Sequence, residues 1–330
     1  MLPPLIALEE HFMCSAILDD ETSQVRAKFV GQIKAIPGIE DQLRDLSTRR
    51  LEDMDKGQIS FQIISHAPAG PSLAQCLSAN DQLAAAVEEN RERFAGFAVL
   101  PVGDPLNCAR ELQRAVKQLG MVGALIDNHA EGTYYDSEEH YPLWQKAEEL
   151  DVPIYLHPTW PSDSMLPQYS GNFTDLAGRS MGASGWGWHS ETGLHVLRLY
   201  AAGIFDRFPR LKIIIGHFGE MIPFMLDRIS SLSVRWGEQK RKFKEVYDEN
   251  IWITTSGVWS LDPMRCILHN TKIEHILYSV DYPFAKNEWG LAWMEELEQS
   301  GLVTREQLEM IAYKNSEKLL RVKAPSRSST

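Results

Sequence analysis

The chain has 330 residues, of which 44% are hydrophobic and 24% charged, a composition typical of a globular protein with a sizeable core. Its formal net charge of −12 disfavours nucleic acid and anionic membrane as partners. A small anionic substrate is not excluded by that charge, because the local field of a site matters more than the total.

Short apolar runs alternate with amphipathic segments along the whole chain. Several runs are apolar at consecutive positions, which is typical of strands buried on both faces of a parallel sheet. We predict strands at 5–8, 61–65, 97–100, 123–126, 154–156, 212–215, 251–254 and 275–279. We predict helices at 41–56, 80–93, 105–118, 141–150, 191–205, 222–234, 263–269, 291–299 and 305–320. Eight alternating units favour an α/β fold of the (β/α)8 TIM-barrel type over an open sheet.

No repeat or interdomain linker interrupts this pattern, so we predict one barrel domain over residues 1–323. Residues 158–188, rich in Gly, Ser, Trp and Met, are predicted to form a long irregular loop. Loops of this length are usually lids or binding loops. The last residues, 324–330, are predicted to be a disordered tail.

The sequence also indicates where the protein resides. Its first residues lack the basic segment of a signal peptide, and no apolar run approaches the roughly 20 residues that span a bilayer. Four scattered cysteines without CxxC spacing are typical of reduced thiols. We therefore predict a cytoplasmic protein.

Polar residues follow several of the predicted strands, at the end of a barrel where chemistry takes place. Strand 1 runs into Glu9 and His11, which share one face of an extended chain. Strand 5 ends at His157, strand 6 runs into His217, and strand 8 runs into Asp281. Charged groups at such depth need partners or a metal ion, so these residues predict a divalent metal site. Imidazoles mixed with carboxylates suit Zn²⁺ or Mn²⁺ better than Ca²⁺, and no thiolate ligand requires zinc.

Five further residues are candidates for substrate binding, each with an alternative. His66 after strand 2 is a substrate contact or part of a structural turn, and Asp127 lines the pocket or caps a turn. Trp188 stacks on an aromatic ligand or packs in the core or an interface, and Trp160 flanks the same pocket. Arg228 binds a carboxylate, a neighbouring subunit or a salt-bridge partner.

Longer motifs resemble one known family. They are Ala-Leu-Glu-Glu-His-Phe at 7–12, Tyr-Leu-His-Pro at 155–158, Ile-Ile-Gly-His-Phe-Gly-Glu at 214–220, Ile-Trp-Ile-Thr-Thr-Ser-Gly at 251–257 and Ile-Leu-Tyr-Ser-Val-Asp-Tyr-Pro-Phe at 276–284. From residue 5 to about 322 the chain resembles the amidohydrolase-related decarboxylases, which include γ-resorcylate, 2,3-dihydroxybenzoate, salicylate and 5-carboxyvanillate decarboxylases. The resemblance implies a barrel, a homodimer or homotetramer, one metal ion and no organic cofactor.

The resemblance also implies roles for individual residues. Glu9, His11, His157 and Asp281 match the metal ligands, with Zn²⁺ favoured and Mn²⁺ or Mg²⁺ as alternatives. The catalytic pair of the family is matched by His217 and Glu220, and we expect Asp281 to be the proton donor. The chain departs from many members in two places that flank the pocket. Thr-Trp-Pro at 159–161 stands where they have Arg, and an Asp stands at 127 where they have Asn.

These inferences predict a metal-dependent, non-oxidative decarboxylase of an ortho-hydroxylated aromatic acid of the dihydroxybenzoate or salicylate type. The alternative is a metal-dependent hydrolase of a lactone or amide on the same barrel. Strand 1 ends in Glu-x-His rather than His-x-His, and no Lys follows strand 4, which favours decarboxylation. A binding protein without catalysis would not need His217 and Glu220 beside four ligands. The sequence does not specify the aromatic acid.

Overall fold

The structure, a computed structural model, describes residues 2–22, 31, 33 and 36–325. Among them, eight parallel strands pair in chain order. They are β1 Leu5–Phe12, β2 Ile59–His66, β3 Phe94–Ala98, β4 Gly123–Asp127, β5 Ile154–His157, β6 Ile213–Ile215, β7 Ile251–Thr254 and β8 Ile276–Leu277. A bridge from Leu8 to Ser279, just after β8, brings the last strand back to the first. The predicted (β/α)8 barrel is confirmed.

Helices connect the strands. The α-helices are α1 Ser15–Leu18, α2 Ile39–Arg44, α3 Thr48–Lys56, α4 Leu73–Glu89, α5 Pro105–Gln118, α6 Tyr141–Leu150, α7 Asp175–Gly182, α8 Gly187–Ala201, α9 Ile204–Arg207, α10 Ile222–Leu232, α11 Phe243–Asn250, α12 Leu261–Asn270, α13 Asn287–Ser300, α14 Arg305–Glu309 and α15 Asn315–Leu320. Short 3₁₀ segments lie at Glu138–His140, Leu166–Tyr169, Ser233–Arg235 and Ile273–His275, and a π-helical turn at Met310–Lys314 joins α14 to α15.

Consecutive apolar residues in the strands serve two separate packing regions. Because side chains alternate along a strand, one set fills the barrel interior and the other packs under the helices. The interior set includes Ile6, Leu8, Phe61, Phe97, Leu125 and Ile214. On the opposite faces of the same sheet, residues such as Leu5, Ile213 and Ile215 join the larger core. Burial on both faces explains why the strands read as continuous apolar runs.

Some predicted boundaries were wrong, and side-chain capping explains why. The predicted helix at 41–56 is two helices, α2 and α3. The Asp45 carboxylate accepts hydrogen bonds from the backbone N–H groups of Ser47 and Arg49, at 2.6 and 2.9 Å, and so caps the start of α3. The helix predicted at 80–93 begins at Leu73, where Ser72 and Gln75 form a reciprocal capping box.

The segment at 158–188 was predicted to be irregular, yet it contains a 3₁₀ turn and α7. Glu191 on α8 fastens it, accepting from Tyr169 Oη at 2.9 Å and Gln168 Nε2 at 3.0 Å. Of the predicted tail, residues 326–330 lie outside the described residues. The four cysteines form no disulfide, and no described helix is long and apolar enough to cross a membrane.

Candidate active site

Four side chains from β1, β5 and the segment after β8 converge at the carboxyl end of the barrel. One ligand atom from each of Glu9, His11, His157 and Asp281 lies within 4.8 Å of the others. The His157 Nε2 to Glu9 Oε1 distance is 3.1 Å, and the His11 Nε2 to Asp281 Oδ1 distance is 3.2 Å. The structure thus brings together all four residues that were predicted to bind the ion.

Neighbouring groups orient the two histidines. His157 Nδ1 donates to the Pro158 carbonyl at 2.6 Å, which leaves the Nε2 lone pair directed at the cluster. His11 Nδ1 lies 3.2 Å from Ser65 Oγ, so its Nε2 likewise faces the cluster.

Glu9 divides its two oxygens between the protein and the cluster. Its Oε2 accepts hydrogen bonds from the hydroxyls of Tyr155 and Ser256 and, at 3.4 Å, of Thr254. Burial disfavours the ionised form, but the imidazoles of His217 and His157 outweigh it and hold the pKa of Glu9 well below its usual range. An ionised Oε1 is therefore presented to the cluster.

The donor set fits a divalent cation. Glu9 Oε1, His11 Nε2 and Asp281 Oδ1 are buried and form no hydrogen bond with any described residue. Leaving such groups unsatisfied is costly, and an ion between two carboxylates and two imidazoles would satisfy them all. The structure therefore supports one divalent metal site.

Backbone strain is concentrated at the same residues. The backbone is left-handed at Glu9, His217, Glu220 and Asp281, with φ angles of 63°, 48°, 49° and 74°. Residues other than glycine rarely adopt this conformation. Strain of this kind costs of order 1 kcal/mol or more per residue and persists where the surroundings fix the conformation, typically at functional sites. At Glu9 it coincides with a register shift between β1 and β2.

A second charged cluster lies beside the ligands. His217 Nδ1 donates to Glu220 Oε1 at 2.8 Å, and His189 Nδ1 donates to Glu220 Oε2 at 2.7 Å. Burial disfavours charge on His217, but Glu220 and Glu9 outweigh it and raise its pKa to about 10. For Glu220, burial is likewise outweighed by His217 and His189, and its pKa falls to about 2. His217 and Glu220 therefore form a buried ion pair.

His217 and Asp281 face a common small space beside Gly257. A Cβ on this glycine would lie 3.4 Å from His217 Nε2 and 3.8 Å from Asp281 Oδ2, and its φ is +68°. A side chain at 257 would therefore enter the space between the two groups. Glycine leaves that space to a reactant or water.

Glu10, which points away from the ligands, supports Asp281 from behind. Its two oxygens accept from the backbone N–H groups of Val280 at 3.0 Å and Tyr282 at 3.1 Å, on either side of Asp281. Burial raises the pKa of Glu10 to about 8. This carboxyl fixes the strained turn that carries Asp281.

A cavity of about 260 Å³ lies at the ends of β2 to β5, and none of the four ligands is among the residues that line it. Its walls include Pro68, Asp127, Thr159 and Trp160, and Asp127 is the register partner of the ligand His157. The Trp160 ring packs edge-on against Trp188 with centroids 4.8 Å apart. Trp188 Nε1 is buried without an acceptor among the described residues. Three of the five predicted substrate residues thus lie at or beside this cavity.

The other two predicted substrate residues lie elsewhere. His66 is buried; its Nδ1 donates to the Ala67 carbonyl at 2.7 Å and its Nε2 accepts from Cys14 N at 3.2 Å. With both nitrogens occupied by backbone, His66 has the geometry of the structural-turn alternative. Arg228 is exposed on α10 and is not among the residues that line the cavity.

Comparison with known proteins places this chain in a family. The family model described as Amidohydrolase matches residues 33–322. The chain belongs to the amidohydrolase family. Decarboxylase orsB of Emericella nidulans is 56% identical over 329 residues, covering 98% of either chain. Two solved structures are also similar to this amidohydrolase.

The first is the dihydroxybenzoic acid decarboxylase of Polaromonas sp. JS666 with bound manganese and the inhibitor 2-nitroresorcinol. It is 34% identical, with a TM-score of 0.83 and 97% of each chain covered. The second is the 5-carboxyvanillate decarboxylase of Novosphingobium aromaticivorans with manganese and 4-hydroxy-3-methoxy-5-nitrobenzoic acid. It is 27% identical, with a TM-score of 0.86 over 97% of this chain and 96% of that one. The predicted membership among the decarboxylases is confirmed, and this amidohydrolase is a carboxy-lyase.

Two residues that contact the site were not predicted from the sequence. His189 follows the Trp186-Gly-Trp188 motif and lies one helical turn before Gly193, but nothing in that spacing indicates a contact with Glu220. Glu10 lies between Glu9 and His11 and alternates to the opposite face of the strand, and no role was predicted for it. An acidic residue directly after the apolar run 5–8 was the available signal.

Proposed function

We propose that this protein decarboxylates an ortho-hydroxylated benzoic acid of the dihydroxybenzoate or salicylate type, without oxidation and with one divalent metal ion. The observation that carries the proposal is the four-residue ligand cluster with the His217–Glu220 ion pair beside it. The names of the relatives support a hydroxylated benzoate as substrate. The cavity at the ends of β2 to β5 is lined by Trp160, which packs against Trp188, and such a wall suits a flat aromatic ring.

The chemistry requires a proton before carbon dioxide can leave. Direct loss of CO₂ from an arene would leave a costly aryl carbanion. With an ortho-hydroxyl, the ring carbon that bears the carboxylate accepts a proton, and the ring becomes a non-aromatic ketone. The carbon–carbon bond then breaks, its electron pair restores the aromatic ring, and CO₂ departs. Each turnover therefore consumes one proton.

Named residues supply the parts of this scheme. Glu9, His11, His157 and Asp281 would hold the ion. When bound, it would orient the phenolic and carboxylate oxygens and stabilise their charge. Asp281 is the proton donor to the ring carbon. His217, held by Glu220, faces the same space beside Gly257 and keeps a proton close to the phenolic oxygen.

Three further properties complete the proposal. Two nitrogen and two oxygen donors without sulfur suit both Zn²⁺ and Mn²⁺, and we propose one of these as the native ion. Exposed Met221, Phe224 and Met225 lie on the face of α10 that carries Arg228, which supports a homodimer or homotetramer. A cytoplasmic location stays a prediction from the sequence.

The proposal is tested by measuring CO₂ release from a panel of ortho-hydroxybenzoates, with aryl lactones tested for ring opening in parallel. We expect CO₂ release from at least one acid and no lactone hydrolysis. Removing the metal with a chelator should abolish the activity, and adding Zn²⁺ or Mn²⁺ should restore it. Lactone opening without decarboxylation would favour the alternative hydrolase.

A further inference from the structure

Asp127 relates the cavity at the ends of β2 to β5 to the metal ligands. It lines the cavity and is the register partner of the ligand His157 across β4 and β5. Register partners on neighbouring parallel strands lie about 4.8 Å apart and point to the same face of the sheet. The two side chains therefore point the same way at the carboxyl end of the barrel, one into the cavity wall and the other into the ligand cluster.

The charged groups that line this cavity are carboxylates. Asp104 and Glu131 are exposed, whereas Asp127 is only 8% exposed. No Lys or Arg is among the described residues that line it. His129 in the same wall accepts at Nδ1 from the backbone N–H of Gly132 at 3.1 Å, which a doubly protonated imidazole could not do. The side chains of the wall are thus acidic or neutral.

Two helices begin at the same wall, and a helix N-terminus often binds an anion. Here each is capped by its own chain. Ser72 Oγ accepts from the Gln75 N–H at 3.4 Å at the start of α4, and the Asp104 carboxylate accepts from the Asn107 N–H at 3.3 Å at the start of α5. Hydrogen bonds from the side chain and backbone of Asn107 hold the pKa of Asp104 below its usual range. An anionic group in the cavity would therefore meet an occupied cap at α4 and a carboxylate at α5.

Asp127 is fixed in place and can also accept from a ligand. Its Oδ2 accepts from the backbone N–H of Gly70 at 3.0 Å, and its carbonyl oxygen accepts from Tyr135 Oη at 2.7 Å. A carboxylate offers about four lone-pair sites, so it can accept from a hydroxyl of a ligand as well as from Gly70. Hydrogen bonds to a carboxylate are stronger than those between neutral groups.

We propose that this cavity receives the substituents on the far edge of the aromatic ring, and that Asp127 selects a hydroxyl there and rejects a second carboxylate. The inference rests on the proposed decarboxylation and narrows its substrate to hydroxybenzoates with a single carboxylate. With the carboxylate on ring carbon 1 and the ortho-hydroxyl on carbon 2 at the ion, carbons 4 and 5 form the opposite edge. Pro68, Val102 and Trp160 give the wall its apolar surface for the ring itself.

The experiment measures kcat and KM for CO₂ release from 2-hydroxybenzoates that carry a hydroxyl, a methyl or a second carboxylate at carbon 4 or 5. Substituents also change the intrinsic reactivity of the ring. The deciding quantity is therefore the change in the hydroxyl-to-carboxylate ratio of kcat/KM between wild type and variant, in which the intrinsic contributions cancel. At one or both positions, metal-loaded wild type should favour the hydroxyl over the carboxylate by about 100-fold or more, since like charges brought together are strongly unfavourable.

Asp127→Asn is the deciding variant. Asn keeps the shape of the side chain and an oxygen that can accept from Gly70, but it has no negative charge, and its amide can donate to a carboxylate. We expect the ratio to fall by about 10-fold or more, mainly through a lower KM for the dicarboxylic acids, because a group remote from the reacting carbon affects binding. The hydroxyl-to-methyl ratio should fall as well, since a hydrogen bond to a charged acceptor is lost.

Asp163→Asn is the matched control, because Asp163 is exposed and is not among the residues that line the cavity. It should keep both ratios within about twofold of wild type, in the range of a distant surface charge. Elemental analysis should give the wild-type metal content in both variants, since neither residue belongs to the ligand cluster.

Three outcomes would overturn the inference. They are unchanged ratios in Asp127→Asn, an equal change in Asp163→Asn, and a wild type that uses the dicarboxylic acids as well as their hydroxyl counterparts. If Asp127→Asn does not fold, Glu131→Gln at the exposed part of the wall carries the test, and an unchanged KM for the dicarboxylic acids would then count against the inference. Failure of the decarboxylation proposal is distinct, because wild type would release no CO₂ from any acid of the panel.

Discussion

In the proposed function Asp281 is both a metal ligand and the proton donor, and a single substitution separates the two roles. Asn keeps the shape and an oxygen donor but has no acidic proton. We expect Asp281→Asn to retain close to one equivalent of metal and to lose at least about 100-fold in kcat, the usual contribution of a general acid. Elemental analysis and CO₂ release measure the two properties. Normal turnover in this variant would exclude Asp281 as proton donor.

His157→Ala is the contrasting variant. It removes a ligand whose other nitrogen donates to the Pro158 carbonyl. Metal content should fall together with activity, whereas His269→Ala should keep both. Stoichiometric metal in His157→Ala would show that the ligand set is wrong.

At the residue scale, sequence reasoning located the groups that end strands and missed those that act across the fold. Glu9, His11, His157 and Asp281 each follow an apolar run, so the barrel topology alone assembles them. Glu10 meets Tyr282, 272 residues away, through backbone N–H groups, and no local pattern encodes that contact. His189 reaches Glu220 from a helix that follows a long loop, whose path the sequence does not fix.

At the scale of elements, α8 packs directly against the segment after β6, which carries Glu220. Gly193 permits their close approach, since a Cβ would lie 2.6 Å from the Glu220 carbonyl oxygen and the obstacle is backbone. We expect Gly193→Ala to push the helix away, to destabilise the protein by about 1–3 kcal/mol, and to lower kcat by separating His189 from Glu220. Urea unfolding and steady-state kinetics measure these effects.

The control for this prediction is Leu194→Ala at the next position, whose side chain is exposed. Surface substitutions usually change stability by less than about 0.5 kcal/mol, so both stability and kcat should stay near wild type. Equal behaviour of the two variants would show that the contact at Gly193 does not hold the site together.

Element boundaries depended on capping more than on periodicity. The start of α4 is encoded locally, since Ser72 and Gln75 have the spacing of a capping box, and the signal was available. The break between α2 and α3 depends on the Asp45 side chain turning back to the Ser47 and Arg49 N–H groups. An amphipathic period runs through that break, so periodicity alone predicts one helix.

For the whole molecule, buried neutral histidines make stability depend on pH. Burial lowers the pKa of His195 to about 3, from about 6.5 in an unfolded chain. Below about pH 6.5, His195 is protonated in the unfolded state but stays neutral in the folded state. The free energy of unfolding therefore falls as the pH decreases towards 3. The contribution of one such group is up to about 1.4 kcal/mol per pH unit.

His195→Asn should therefore flatten this dependence. We would measure urea unfolding of metal-free wild type and variant between about pH 7.5 and 4.5, with His269→Asn as the control at an exposed site. The variant should lose less stability on acidification than wild type and the control. Parallel curves for all three proteins would mean that His195 takes up its proton in the folded state.

The bridge between Leu8 and Ser279 pairs the start of the chain with its last strand, so the barrel closes only after that strand is made. Half of the ion ligands come from β1 and half from later strands, and Asp281 follows the last one. During synthesis, no growing chain contains a complete coordination sphere until that last strand has left the ribosome. A bound ion would therefore be taken up after that strand is made, and it would join the two ends of the barrel wall. Contacts between such distant parts of a chain form slowly, so the ligand set is completed late in folding.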